Sequence, residues 1–149
     1  MKMSAGAGEL VLLNASDAVL ETVTGLTEIA ISGTYSTAKT DIIKISIGTG
    51  ITLINRQAFK DCTELTTVTF EGTSDVATMR DQIFMGCSKL TAVTIPPSVT
   101  TFEGSNFINC SALTTATFGG TSQVPSIPDR TFDGCSVLNN VTIPASARL

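Results

Sequence analysis

The four cysteines of this chain, Cys62, Cys87, Cys110 and Cys135, recur at a nearly constant interval of about 24 residues, the middle gap being slightly the shortest. A recurrence at that interval points to stacked supersecondary units rather than one layered core. Aligned on the cysteines, segments 65–70 (LTTVTF), 90–95 (LTAVTI), 113–118 (LTTATF) and 138–143 (LNNVTI) follow the pattern L-x-x-V-x-(I/F), with Ala116 standing for Val in one copy. Segment 42–47 (IIKISI) lies two such intervals before the strand at Leu90, and segment 26–31 (LTEIAI) adds a further match, so the alignment predicts six strands. Apolar side chains at positions 1, 4 and 6 face inward, and small or polar ones at positions 3 and 5 face outward, as strand alternation requires.

The full unit is a double repeat of about 48 residues, two intervals long. Odd strands run into 32–34 (SGT), 71–74 (EGTS) and 119–122 (GGTS), whereas even strands run into 48–50 (GTG), 96–98 (PPS) and 144–146 (PAS). Glycine permits positive φ after a strand, while proline ends a strand by removing a ladder donor, so two turn types alternate. Between strands, 58–62 (AFKDC), 83–87 (IFMGC), 106–110 (NFINC) and 131–135 (TFDGC) read as short helical or 3₁₀ turns. Residues 1–25 and the shortened rung after Ile31, which lacks the Phe and Cys, are expected to form an N-terminal cap, with the solenoid over 26–149. One rung buries about six or seven apolar side chains at roughly 1.5–3 kcal/mol each. Ordering its roughly 24 residues costs roughly 1–2 kcal/mol apiece, so a lone rung does not fold and stacking must supply the difference.

The pattern F-x-x-C-x-x-L-x-x-V-x-(I/F) followed by P or G-T is carried by Phe59/Cys62/Leu65, Phe84/Cys87/Leu90, Phe107/Cys110/Leu113 and Phe132/Cys135/Leu138. It resembles the BspA-like, treponemal type of leucine-rich repeat over residues 42–144, and more weakly over 26–41. The resemblance implies a mainly β leucine-rich-repeat solenoid of about six rungs with short helical turns. It further implies a surface role in adhesion to host or neighbouring-cell proteins, and no catalytic residues.

Composition narrows the chemistry independently. The chain has no histidine, which removes the usual general base, the Ser-His and Cys-His pairs and the commonest zinc ligand. A net charge of -4 without a basic block argues against nucleic acid and against a polybasic membrane patch. The longest apolar runs, such as Leu10–Leu13, fall far short of a bilayer span, and the N-terminal residues do not make a signal-peptide core. The uniformly placed cysteines, with no C-x-x-C, read as a column of packed thiols rather than disulfides or a metal cluster. Carboxylates such as Asp61, Glu64, Asp75, Asp129 and Asp133 lie on separate turns, and no calcium-loop pattern occurs. The expectation is a chain without enzymatic activity, cofactor or metal.

Two binding surfaces remain. Outward positions on successive strands bring Thr67, Thr69, Thr94, Thr115, Thr117, Asn140 and Thr142 into a nearly uncharged hydroxyl array. Threonine suits exposed strand positions on propensity alone, but solenoids commonly bind proteins on the face their strands create. Ice binding, which also uses threonine arrays, is a third reading. The second surface is the C-terminal edge, where Leu138, Val141 and Ile143 are expected to contact a second copy or a different protein, as in a virion or surface-layer subunit. The compartment follows the partner: cell surface or extracellular if a leader was removed, otherwise cytoplasmic or virion-associated.

Overall fold

The computed structural model describes residues 4–32, 35–120 and 122–147. Its strands are β1 (Leu10–Leu13), β2 (Val19–Val23), β3 (Glu28–Ile29), β4 (Lys44–Ile47), β5 (Leu53–Ile54), β6 (Thr67–Phe70), β7 (Thr78–Met79), β8 (Ala92–Ile95), β9 (Thr101–Phe102), β10 (Thr115–Phe118) and β11 (Asn140–Thr142). A 3₁₀ turn at Lys39–Asp41 is the one helical element among the described residues. Strands β4, β6, β8, β10 and β11 line one side, and β3, β5, β7 and β9 form a second ladder. Pairing within the repeat is parallel and in register one turn apart, as in Lys44↔Thr67 and Thr115↔Asn140. This is a solenoid of the expected mainly β class.

The N-terminal end differs from the sequence alignment. Segment 26–31 does not continue the main face; its strand β3 pairs with β5 in the second ladder, Glu28 opposite Leu53 and Ile29 opposite Ile54. The reason is chain length: Glu28 precedes Leu53 by a full turn of the solenoid, but precedes Lys44 by well under one. The vacant slot beside β4 is filled by β1, which pairs antiparallel with β4 on one edge and with β2 on the other. An antiparallel hairpin thus closes the first rung, so β4 has no open edge.

The segments between the ladders are hydrogen-bonded turns of the 3₁₀ kind, with Lys60 N–H donating to Gln57 O (3.2 Å) and Cys62 N–H to Phe59 O (3.2 Å). Each turn holds two residues at positive φ: Gln57 and Asp61, Gln82 and Gly86, Ser105 and Asn109, Arg130 and Gly134. At the second of these, Gly86 and Gly134 alternate with Asp61 and Asn109 for a packing reason. A Cβ on Gly86 would lie 2.3 Å from Asp61 Oδ1, and one on Gly134 would lie 2.4 Å from Asn109 Oδ1. The double repeat therefore also records an alternation of large and small side chains along one column.

Inside, Phe59, Phe84, Phe107 and Phe132 stack with ring centroids 5.7 Å apart and near-parallel planes. Tyr35 heads the stack, 5.7 Å from Phe59 and tilted by 8°. The shortened rung, which lacks the Phe, thus supplies its ring from a different residue. The Tyr35 hydroxyl donates to Ala58 O (2.6 Å) and lies 3.8 Å from Cys62 Sγ, so the phenol satisfies its polar end where the phenylalanines have none.

Candidate functional site

From β6 onward the outward strand positions carry no charge. Thr67, Thr69, Ala92 and Thr94 are exposed, Thr115 and Thr117 half-exposed, and Asn140 and Thr142 exposed. Register aligns Ala92, Thr115 and Asn140 in one row and Thr94, Thr117 and Thr142 in the next. The predicted ligand-binding residues therefore fall on one side of the solenoid in two files. Charge is kept to the turns, where Arg56–Asp81 (3.3 Å), Arg80–Glu103 (2.7 Å) and Lys89–Glu64 (2.5 Å) bridge consecutive rungs. Such exposed pairs are each worth roughly 0–1 kcal/mol.

The array stops at β4. Ser46, which by alignment continues the file of Thr69 and Thr94, is buried: its hydroxyl donates to Glu71 Oε1 (2.6 Å) and accepts from the Ala5 N–H (2.8 Å). Lys44 is engaged by Asp17 at 2.6 Å. The N-terminal segment is laid over this end of the face, with Gly8 N–H donating to Thr49 O (2.6 Å) and Gly48 N–H to Glu9 O (2.9 Å). A side chain at position 48 is sterically impossible there, because its Cβ would sit 1.7 Å from Gly6 O.

At the opposite end, β11 is the outer strand of its sheet among the described residues and pairs with β10. Leu138 and Val141 are half-buried and Ile143 is 41% exposed. These three predicted contact residues share that end, and of the three Ile143 alone is exposed rather than half-buried.

The cysteines are free thiols. Cys62, Cys87 and Cys110 are fully buried and Cys135 partly so. Three of the sulfurs donate back to the previous rung's phenylalanine carbonyl: Cys87 to Phe59 O (3.2 Å), Cys110 to Phe84 O (3.2 Å) and Cys135 to Phe107 O (3.1 Å). The position is thus a small hydrophobe whose S–H adds a second donor to a carbonyl that already accepts a backbone N–H within its own turn. Burial pushes all four thiols up, Cys110 to about 12. Since the thiolate is the reactive form, native Cys62, Cys87 and Cys110 are expected to resist a thiol reagent, Cys135 to react first, and all four to react in denaturant without reductant. Two free thiols after denaturation would instead establish a disulfide. The folded-state values lie above the unfolded thiol value of about 8.5, so this contribution to stability is complete below that pH and is lost as pH rises through the folded values.

Two contributors escaped sequence reasoning. Glu21 on β2 accepts bonds from Ser36 N–H (3.0 Å), Thr37 N–H (2.7 Å) and both hydroxyls, the Thr37 hydroxyl being the main reason its carboxyl is held below the usual range. It pins the segment that carries Tyr35. Neither residue has a counterpart in the other rungs, so repeat alignment passes over both. The only available signals were an aromatic residue in the shortened rung and an acidic one at the centre of a short strand.

No group of three or more His, Cys, Asp or Glu capable of holding a metal ion occurs among the described residues. No helix there is long and apolar enough to cross a membrane. Among solved structures, the chain is similar to a leucine rich cell surface protein of Faecalibacterium prausnitzii A2-165, with 24% identity and a TM-score of 0.68 over 80% of this chain and 30% of that one. It thus spans under a third of that protein's length. It is also similar to the leucine rich repeat protein of T. pallidum, with 19% identity and a TM-score of 0.57 over 83% of this chain and 67% of that one. No curated protein matches it. Residues 22–148 match the family described as BspA type leucine rich repeat region, in six copies. With most of its length, its phenylalanine and cysteine columns and its solenoid all matching, the chain belongs to the BspA-type leucine-rich-repeat family.

Proposed function

We propose that this chain is a non-catalytic protein-binding module that engages its partner through the threonine face, in a surface or adhesion role. The observation that carries this reading is the separation of chemistry around the solenoid from β6 onward: two files of uncharged side chains on β6, β8, β10 and β11, hydroxyl or amide except at Ala92, with the ion pairs of those rungs kept to the turns. Uncharged and hydrogen-bonding, such a face offers many weak contacts, which suits a protein surface better than a charged ligand. The cell-surface description of the Faecalibacterium relative supports the same setting.

The test is a displayed library of protein domains selected on the whole chain. Selected binders are expected to lose affinity with Thr117→Lys and to keep it with Lys60→Glu on a turn. A second reading, assembly through the C-terminal end, is favoured by exposed Ile143 beside an outer strand. It predicts concentration-dependent light scattering that Ile143→Asp abolishes and Thr117→Lys spares. That outcome, with no selected binder sensitive to Thr117, would replace the face reading.

A further inference from the structure

The main face is interrupted once. Among the described residues, pairing runs from β2 through β1 and β4 to β6, and from β8 through β10 to β11, yet β6 and β8 form no ladder. Thr66 N–H donates to Ile43 O (2.8 Å) and Thr114 N–H to Thr91 O (2.9 Å), whereas Thr91 N–H, the equivalent donor at this junction, has no backbone acceptor among the described residues. The interruption is narrow. Cα atoms of the two strands still approach within 8 Å, and paired parallel strands lie about 4.8 Å apart, so closing at the nearest point needs no more than about 3 Å. The two rungs are tied on their other sides, by Thr78↔Thr101 and Met79↔Phe102 in the second ladder. In the turns, Phe59 N–H donates to Ile83 O (3.0 Å) and Asp61 N–H to Met85 O (2.8 Å). These ties keep the two strands in register while the front stands open.

Two features hold it open. Register makes residue 96 the end donor to Phe70 O, as Glu71 N–H donates to Ile47 O and Gly119 N–H to Ile95 O, both at 2.8 Å. Residue 96 is proline, which has no N–H. Proline alone is not sufficient, because Pro144 stands at the same place after β11, and β10 and β11 nevertheless keep three pairs. The second feature lies on the β4 side. The Glu71 carboxylate accepts the Ser46 hydroxyl (2.6 Å) and the Asp75 carboxylate accepts Gly50 N–H (2.7 Å), so the segment leaving β6 is drawn back towards the preceding rung. One double repeat later the position of Glu71 is taken by Gly119, which has no side chain to anchor.

The lining of the gap does not oppose closing. It includes Val68, Thr69, Phe70, Thr94, Pro96 and Pro97 and carries no charged side chain, so closing desolvates no charge. Closing also covers apolar surface, since Val68 and Phe70 are half-buried while their equivalents Val93, Ile95, Ala116 and Phe118 are buried. A few strand hydrogen bonds and this partial burial stand against two carboxylate anchors, so the two arrangements lie close in free energy.

We propose that the junction of β6 with β8 is a two-state latch in the threonine face: open in this structure, and closed by in-register pairing of Thr67 with Ala92 through Phe70 with Ile95. This rests on the threonine face being the binding side and adds how the extent of that face is controlled. Open, the face is divided at β8, beyond which its files run Ala92–Thr115–Asn140 and Thr94–Thr117–Thr142. Closed, Thr67 and Thr69 join them and each file gains a strand. A partner that spans the junction binds the closed arrangement and draws the population towards it, whereas one confined to β8, β10 and β11 does not distinguish the two.

Amide hydrogen exchange in the whole ¹⁵N-labelled chain, with no partner present, tests the latch. Thr91 and Thr114 both follow leucine, so their intrinsic rates are alike and the difference between them reports hydrogen bonding. Thr91 is expected to exchange about fivefold faster or more, the factor that one net hydrogen bond supplies. Pro96→Ala restores the end donor and Glu71→Ala removes an anchor. Both are expected to slow Thr91 towards the rate of Thr114 in the same molecule, and to move the side-chain signals of Val68 and Phe70 in a common direction, as a shift between two states requires. The latch is overturned if Thr91 is already as slow as Thr114 in the parent, or stays fast in both variants. Binders from the library selection that depend on both Thr69 and Thr94 are expected to tighten in Pro96→Ala by the reciprocal of the parent's closed fraction, and binders that depend on Thr117 alone to be unchanged. Equal affinity of the spanning binders for parent and variant overturns the control of binding by the latch. A selection that yields no face binder overturns the face reading, while exchange at Thr91 still decides the latch.

Discussion

Phe84→Ala is expected to destabilise the chain by about 3–5 kcal/mol, the range for deleting a fully buried phenylalanine. Phe84 is fully buried and stacks on Phe59 at one face and Phe107 at the other, both at 5.7 Å. Removing its ring leaves a void bounded on both sides by rings that cannot collapse, because each is held at its own rung by neighbours further along the column. Urea denaturation followed by circular dichroism measures it, and the thermal midpoint is expected to fall by about 6–20 °C at roughly 2–4 °C per kcal/mol for a chain of this size. Phe132→Ala provides the internal comparison. Its ring has a stacking partner on one side and is half-buried, so the loss should be clearly smaller. Equal losses at the two positions would refute the view that stability accrues by coupling between neighbouring rungs.

Gly48→Ala is expected to detach the N-terminal segment. The added Cβ would lie 1.7 Å from Gly6 O and 2.8 Å from Gly6 C, backbone atoms that have no rotamer to retreat into. Relief requires the segment to lift, which breaks Gly48 N–H to Glu9 O, Gly8 N–H to Thr49 O and Ala5 N–H to Ser46 Oγ, and uncovers Ser46, Val11 and Leu13. The expected loss is about 3 kcal/mol or more, at the upper end for single substitutions. Limited proteolysis should show new cleavage within residues 5–25 while the rungs from β6 onward remain protected. A variant that melts like the parent would mean that the segment is not closely packed on β4. Exposing the edge of β4 also predicts self-association of the variant, since an uncovered strand edge is a template for another chain.

The repeat period, the inward phenylalanine, cysteine and leucine columns and the outward threonines were legible in the residues, because each depends only on alternation and on recurrence one turn apart. Phe59, Phe84 and Phe107, and Thr94 and Thr117, therefore sit where periodicity puts them. The ends were not legible in the same way. Segment 26–31 carries the strand pattern yet lies less than a full turn before β4, and only the closing of the turn assigns it to the second ladder. Tyr35 heads the ring stack and Ser46 is covered by the N-terminal segment around Ala5, contacts that no periodic rule contains. The proline at position 96 shows the division most plainly. The lack of an N–H there and at Pro144 is a property of the sequence and removes an end donor from the junctions of β6 with β8 and of β10 with β11. Whether a junction so weakened stays closed, as between β10 and β11, or opens, as between β6 and β8, depends on how the surrounding rungs pack, and only the assembled solenoid decides it.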